Sequence, residues 1–146
     1  MIPPFTDDGV LPPGIHWATW REVAERFGGT DSRERLLEGL KRALIALRDA
    51  GCQTAYIDGS FITTKSDPRD FDACWESEGV DLQRLDPTLC DFDAGRRSQK
   101  RKYGGELFPA SFPVDAAGSV MLDFFQQDKV TTARKGIVAI DLEGLS

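Results

Sequence analysis

The stretch Tyr56-Ile57-Asp58-Gly59-Ser60, followed after nine residues (61–69) by Asp70-Phe71-Asp72-Ala73-Cys74-Trp75, decides how the rest of the chain is read. A short β-favouring run stops at a glycine and a serine, and a second such run opens on two aspartates one residue apart. Strand residues alternate faces, so Asp70 and Asp72 point to the same side, about 6–7 Å apart along the strand. Like charges so placed repel unless something positive sits between them, and a divalent cation meets that need. A glycine directly after a strand lets the backbone approach a ligand, and a Gly-Ser turn offers N–H groups and a hydroxyl to a phosphate.

A third carboxylate, Asp123, interrupts the apolar run Val120-Met121-Leu122-Asp123-Phe124-Phe125. Burying it without a partner would be costly. Read as a strand over 119–126 beside the Asp70–Asp72 strand, it brings three carboxylates to one or two metal ions. Asp58, just before the Gly-Ser turn, is read as a backbone partner rather than a metal ligand. Gly59 and Ser60 are the phosphate-contacting pair, and Lys65, in the loop after them, is placed to reach a phosphate.

Working outward, Thr19 and Glu22 form an S/T-x-x-E capping box that opens a short helix through Phe27. Leu36, Leu40, Ala43, Leu44 and Leu47 recur at three- and four-residue spacing, marking an amphipathic helix that starts near Asp31 and closes at Gly51. Residues 1–18 carry Pro3, Pro4, Pro12 and Pro13 and read as an extended arm with apolar anchors that packs on a single domain spanning 19–146. Short helical turns are expected around 81–89, a basic helix over 94–103, and strands over 54–57, 71–75, 106–108, 119–126 and 136–142. The last two read as a hairpin.

Arg96, Arg97, Lys100, Arg101 and Lys102 make the one dense basic run. Its i,i+4 pairs spread charge over one helix face, so Lys100 and Arg101 are either phosphate or RNA clamps or part of a solvated face. Asp91-Phe92-Asp93 repeats the D-x-D pattern but precedes a helix, which suits an N-cap.

The bulk numbers bound the partners. With 146 residues and a net charge of −6, the chain fits one domain and argues against an extended nucleic-acid groove. Three scattered cysteines and one histidine, His16, argue against a disulfide framework or a zinc site, so a bound metal should have carboxylate ligands and be Mg²⁺ or Mn²⁺. No apolar run approaches a membrane span, and the start lacks the features of a signal peptide, so a cytoplasmic protein with no membrane partner is expected.

The order and spacing of Gly59-Ser60, Asp70-Phe71-Asp72-Ala73 and Leu122-Asp123-Phe124 resemble the nucleotidyltransferase superfamily that includes DNA polymerase β, over residues 54–125. The whole chain is also similar to small bacterial proteins with a Pro-rich start followed by Gly14-Ile15-His16-Trp17. The first resemblance implies an α/β (α+β) domain with a mixed, mostly antiparallel sheet and helices on one face, the palm of that fold. It implies Mg²⁺ or Mn²⁺ held by Asp70, Asp72 and Asp123, a nucleoside triphosphate as substrate, and Asp123 helping to deprotonate a hydroxyl on RNA or protein. The chain has no room for the helical domain of larger members. That brevity resembles minimal nucleotidyltransferases paired with HEPN-type chains in toxin–antitoxin systems, so a partner chain is expected to complete the site. The other expectation is a catalytically inactive module that binds nucleotide or a partner, as an antitoxin or regulatory subunit.

Overall fold

Helix caps and apolar spacing set the first layer. Thr19 accepts a hydrogen bond from the Glu22 N–H while the Glu22 carboxylate accepts from the Thr19 N–H, which starts α1 (Trp20–Phe27). Thr30 accepts from the Arg33 N–H at the start of α2 (Asp31–Asp49). The chain leaves α2 through Gly51 at φ +102°, a conformation suited to glycine at a helix end. The apolar stripe of α2, including Leu40, Ala43, Leu44 and Leu47, is buried.

The computed structural model describes residues 1–128 and 130–145. Ser146, the end of the expected domain, lies outside the described residues. Five strands, β1 (Gly14–Ala18), β2 (Thr54–Asp58), β3 (Phe71–Trp75), β4 (Gly105–Pro109) and β5 (Gly136–Asp141), form one sheet in the order β1-β5-β2-β3-β4. Two further helices, α3 (Arg97–Tyr103) and α4 (Met121–Phe125), complete an α/β architecture. The β1–β5 and β3–β4 pairs are parallel, and the β2–β3 and β2–β5 pairs are antiparallel. The sheet is therefore mixed, but its pairings divide evenly rather than being mostly antiparallel.

Each face of the sheet carries its own apolar cluster. Ala55, Ile57, Phe71, Ala73, Leu107, Val138 and Ile140 pack with α1, α2 and Tyr103 of α3. Tyr56, Cys74, Phe108, Ile137 and Ala139 face the other way, against Met121 and Phe125 of α4. Helices thus lie on both faces, not one. The helix α4 also replaces the strand expected over 119–126: Met121 and Phe125 are one helical turn apart and both buried, leaving Asp123 and Phe124 outward. A short apolar run fits a strand or a buried helical turn equally well by periodicity, and packing decided for the helix. Among the described residues no strand hairpin joins 119–126 to β5; an isolated bridge, Gln127 to Arg134, lies between the two segments.

The proline-rich arm is anchored, and its last five residues are β1, an edge strand parallel to β5. Leu11 is buried, Arg26 donates to the carbonyls of Ile2 and Pro3, and its guanidinium lies over the Phe5 ring. Gly9 packs so closely on Thr64 that a Cβ there would meet its hydroxyl oxygen at 2.3 Å.

Asp86 ties the connection after β3 to α3. Its carboxylate accepts from the Thr88 N–H, from Lys102 Nζ at 2.6 Å and from the Tyr103 hydroxyl. Burial alone would raise its pKa, but these donors outweigh burial and hold it at about 2. A carboxyl depressed in the folded state stabilises the fold above its unfolded pKa of about 4, and loses that contribution as pH falls through 4 towards 2. Asp86→Asn should therefore lower the urea midpoint at pH 7, and its difference from the native chain should shrink towards zero at pH 2.

Candidate functional site

Strand alternation and register build the site on the α4 side of the sheet. Asp58 is the β2 partner of Asp72 on β3, and Asp72 is the β3 partner of Glu106 on β4. Paired residues point to the same face, so the three carboxylates stand in a row across three strands, with neighbouring strands about 4.8 Å apart. This is the face that carries Tyr56, Cys74 and Phe108, each two positions along its own strand from a row member.

Cations from distant segments compensate the ends of the row. Lys135 Nζ lies 2.9 Å from Asp58 Oδ1, and both side chains are largely buried. Asp58 thus takes part in an ion pair, a role its place before the Gly-Ser turn does not announce. Arg96 Nε lies 2.8 Å from Glu106 Oε2, and Lys100 Nζ lies 3.4 Å from Oε1 of the same carboxylate. A buried charge is tolerated only when paired in this way.

Asp58, Gly59, Ser60, Asp70 and Asp72 line one cavity of about 340 Å³, with Lys135 on its wall. The structure therefore brings together the Gly-Ser turn and the Asp70/Asp72 pair, as their spacing suggested. Gly59 has φ +87° and ψ −177°, and a Cβ there would stand 2.8 Å from Asp72 Oδ2. Only glycine lets the turn come this close to that carboxylate.

Arg33 holds the loop that follows. Its guanidinium is buried, which lowers its pKa, and donates to the carbonyls of Phe27, Phe61, Thr63 and Lys65 at 2.6–3.0 Å. The Ser60 carbonyl in turn accepts from the Thr63 N–H and hydroxyl. An arginine of α2 thereby fixes the turn from the far side of the sheet.

Four expected site residues are elsewhere. Asp123 is exposed on α4, among the residues lining neither this cavity nor the next, so it does not complete a trio with Asp70 and Asp72. The cause is the helical conformation of 121–125, which turns its side chain away from the sheet. Lys65 is exposed and meets Arg33 through its carbonyl, and it is not on the cavity wall. Lys100 and Arg101 line a separate cleft of about 600 Å³ between α2 and α3, together with Arg35, Arg42, Arg69 and Lys102. Among the described residues no group of three or more His, Cys, Asp or Glu side chains converges to hold a metal ion.

Sequence reading missed Glu106 and Lys135, and it marked Arg96 as part of the basic run without its pairing to Glu106. Glu106 lies in a strand that the sequence marks, but nothing local says which strand neighbours β3. Lys135 lies just before β5, and only the β2–β5 pairing carries it to Asp58.

The fold and this acidic row beside a Gly-Ser turn define an α/β domain with one charged, half-open site. The chain belongs to the family of unknown function DUF6932, whose model matches residues 3–141. No curated protein matches the chain, and neither does any solved structure. Among the described residues no helix is long and apolar enough to cross a membrane.

Two substitutions test this geometry. Gly59→Ala should destabilise the fold by about 1–3 kcal/mol, and by more than Gly29→Ala, which shares a positive φ but meets nothing within 4 Å. Arg33→Lys should leave at least one buried carbonyl without its donor, at about 1–3 kcal/mol. Hydrogen exchange should accelerate at Thr63 and Lys65 in that variant ahead of the β2 amides.

Proposed function

We propose that this protein is a metal-dependent nucleotidyltransferase that moves a nucleoside monophosphate from a nucleoside triphosphate to a hydroxyl acceptor in the cytoplasm. The observation that carries this reading is the shared cavity of Gly59, Ser60, Asp70 and Asp72: a turn suited to phosphate faces two carboxylates suited to a cation. The superfamily resemblance supplies the reaction class.

The donor set decides how a metal would be held. Mg²⁺ is usually bound through one or two carboxylates together with substrate phosphates, keeping several waters. Asp70 and Asp72 fit an ion that arrives with the triphosphate, and they do not make a self-contained cage. Bound there, Mg²⁺ or Mn²⁺ would neutralise charge on the phosphate oxygens. Ser60 and the turn amides bind the β- and γ-phosphates, and the Arg33-clamped loop keeps that turn in place. The acceptor oxygen bonds to the α-phosphorus as the bond to the bridging oxygen breaks. Pyrophosphate leaves, and the hydroxyl proton passes to a carboxylate of the Asp58–Asp72–Glu106 row.

Of the acceptor classes, RNA is the one favoured by the cleft lined by Arg35, Arg42, Arg69, Lys100, Arg101 and Lys102. Arg69 on its wall directly precedes Asp70, so a phosphate backbone lying there ends beside the carboxylates. A HEPN-type partner chain of a toxin–antitoxin pair would complete the site.

A second reading has its own support. Lys135 and the Arg96/Lys100 pair already neutralise two of the three row carboxylates, which suits a module that binds nucleotide or a partner without transferring anything.

Incubation with Mg²⁺ or Mn²⁺, each α-labelled triphosphate, and RNA or lysate should label an acceptor. Asp70→Ala and Asp72→Ala should abolish that label, whereas Asp123→Ala should leave it. Thermal stabilisation by metal and nucleotide together, without label, would select the second reading. Neither label nor stabilisation would remove the nucleotide from both.

A further inference from the structure

The face that carries the carboxylate row also holds a second cavity, of about 420 Å³, which the phosphate chemistry above leaves unused. One side of it is apolar and largely aromatic: Phe108, Phe112, Val114, Met121, Phe124 and Phe125. Phe108 and Phe112 are held against each other and against Phe92, with ring centroids 5.1–5.6 Å apart, so this wall is firm. Phe124, next to Met121 around α4 but less covered, is 42% exposed, and Val114 is 36% exposed. A single exposed apolar side chain needs no explanation, but two on the wall of one cavity imply a ligand surface.

The cavity is not purely apolar. The Arg96–Glu106 ion pair stands in its wall, with the Arg96 guanidinium carbon 5.7 Å from the Phe108 ring centroid. A carboxylate has about four lone-pair sites, so Glu106 retains accepting capacity beside its two cations. Asp58 and Asp72 line this cavity as well as the one at Gly59-Ser60, so the two are neighbours along the row. Apolar walls, a few fixed polar groups and this volume are what small-molecule sites have in common, at roughly 300–1,000 Å³.

We propose that this cavity is the nucleobase subsite of the triphosphate. The base stacks on the Phe112/Phe124 walls with its polar edge towards Arg96 and Glu106, and the triphosphate runs past Asp72 to the Gly59-Ser60 turn. The inference rests on the nucleotide reading above and adds where the base is held. It assigns to α4 and to the loop before it the grip that a separate helical domain would otherwise provide.

Calorimetric titration of the full chain with Mg²⁺ and each of the four common ribonucleoside triphosphates, beside Mg²⁺ with inorganic tripolyphosphate, separates base from phosphate. At least one nucleotide should bind roughly 5- to 100-fold more tightly than tripolyphosphate, the range expected of one base–aromatic stack. Phe124→Ala, at an exposed position where folding is not at risk, should erase that preference and leave tripolyphosphate binding unchanged. Ser60→Ala should weaken both ligands. Equal native affinity for nucleotide and tripolyphosphate, or an equal loss of both in Phe124→Ala, overturns the base subsite while the phosphate reading stands. Binding of neither ligand overturns both.

Discussion

The site depends on like charges set side by side by strand register. Asp58, Asp72 and Glu106 are cross-strand neighbours at about 4.8 Å per strand, a spacing at which uncompensated carboxylates repel and destabilise the pairing. The chain meets this with cations drawn from segments far apart in sequence. Lys135 arrives with β5, and Arg96 and Lys100 arrive with the connection and helix that precede β4. The sheet order β1-β5-β2-β3-β4 is thus an electrostatic arrangement as well as an apolar one. It places β5 beside β2, and the basic helix beside the strand that carries Glu106. Because a broken buried pair leaves an unmatched charge, the Lys135–Asp58 contact holds its end of the row more rigidly than a surface ion pair would.

Rigidity on the other face serves the same end. Arg33 spends its guanidinium on four backbone carbonyls, three of them in the loop that follows Gly59-Ser60. The arm adds a second restraint through Gly9, whose carbonyl accepts from the Thr64 N–H. A turn that must present backbone groups to a ligand works best when it does not move to do so, since ordering it on binding would cost conformational entropy. The buried α1–α2 layer therefore acts on the site through the loop, although none of its side chains lines the Gly59-Ser60 cavity.

What could be read from the sequence followed the range of the forces involved. Thr19 and Glu22, the leucines of α2, and the alternation around Asp70 and Asp72 are local signals, and each produced the element it implied. The run Val120–Phe125 carried no local preference: its apolar residues could line a strand or one face of a helical turn, and contact with Phe108 and Ile137 selected the helix. Asp123 left the expected trio for that reason. Residues 14–18 read as arm because Pro12 and Pro13 precede them and Gly14 opens them, yet the free edge of β5 recruited them as a strand. Glu106 and Lys135 were invisible for a different reason, since only the neighbour order of strands, a long-range property, gives them their partners.

The charge distribution links the two halves of the molecule. A chain of net charge −6 repels a free polyphosphate at a distance of about a Debye length or less, roughly 8–10 Å at ordinary salt. An acidic row worsens that repulsion at the cavity mouth. On the proposed nucleotide reading, a triphosphate would reach Gly59-Ser60 most readily with its charge already reduced by a divalent cation, which Asp70 and Asp72 would share. A longer polyanion has another route along the α2–α3 cleft, where Arg35, Arg42, Arg69 and Arg101 stand with Lys100 and Lys102, the two lysines also pairing with Glu106 and Asp86. The two approaches meet at Arg69 and Asp70, adjacent residues of opposite sign on the walls of adjoining cavities. Opposite fields converging on one peptide bond would sort two anionic ligands by whether they carry their own cation, which is the distinction between a metal-bound nucleotide and a nucleic-acid acceptor.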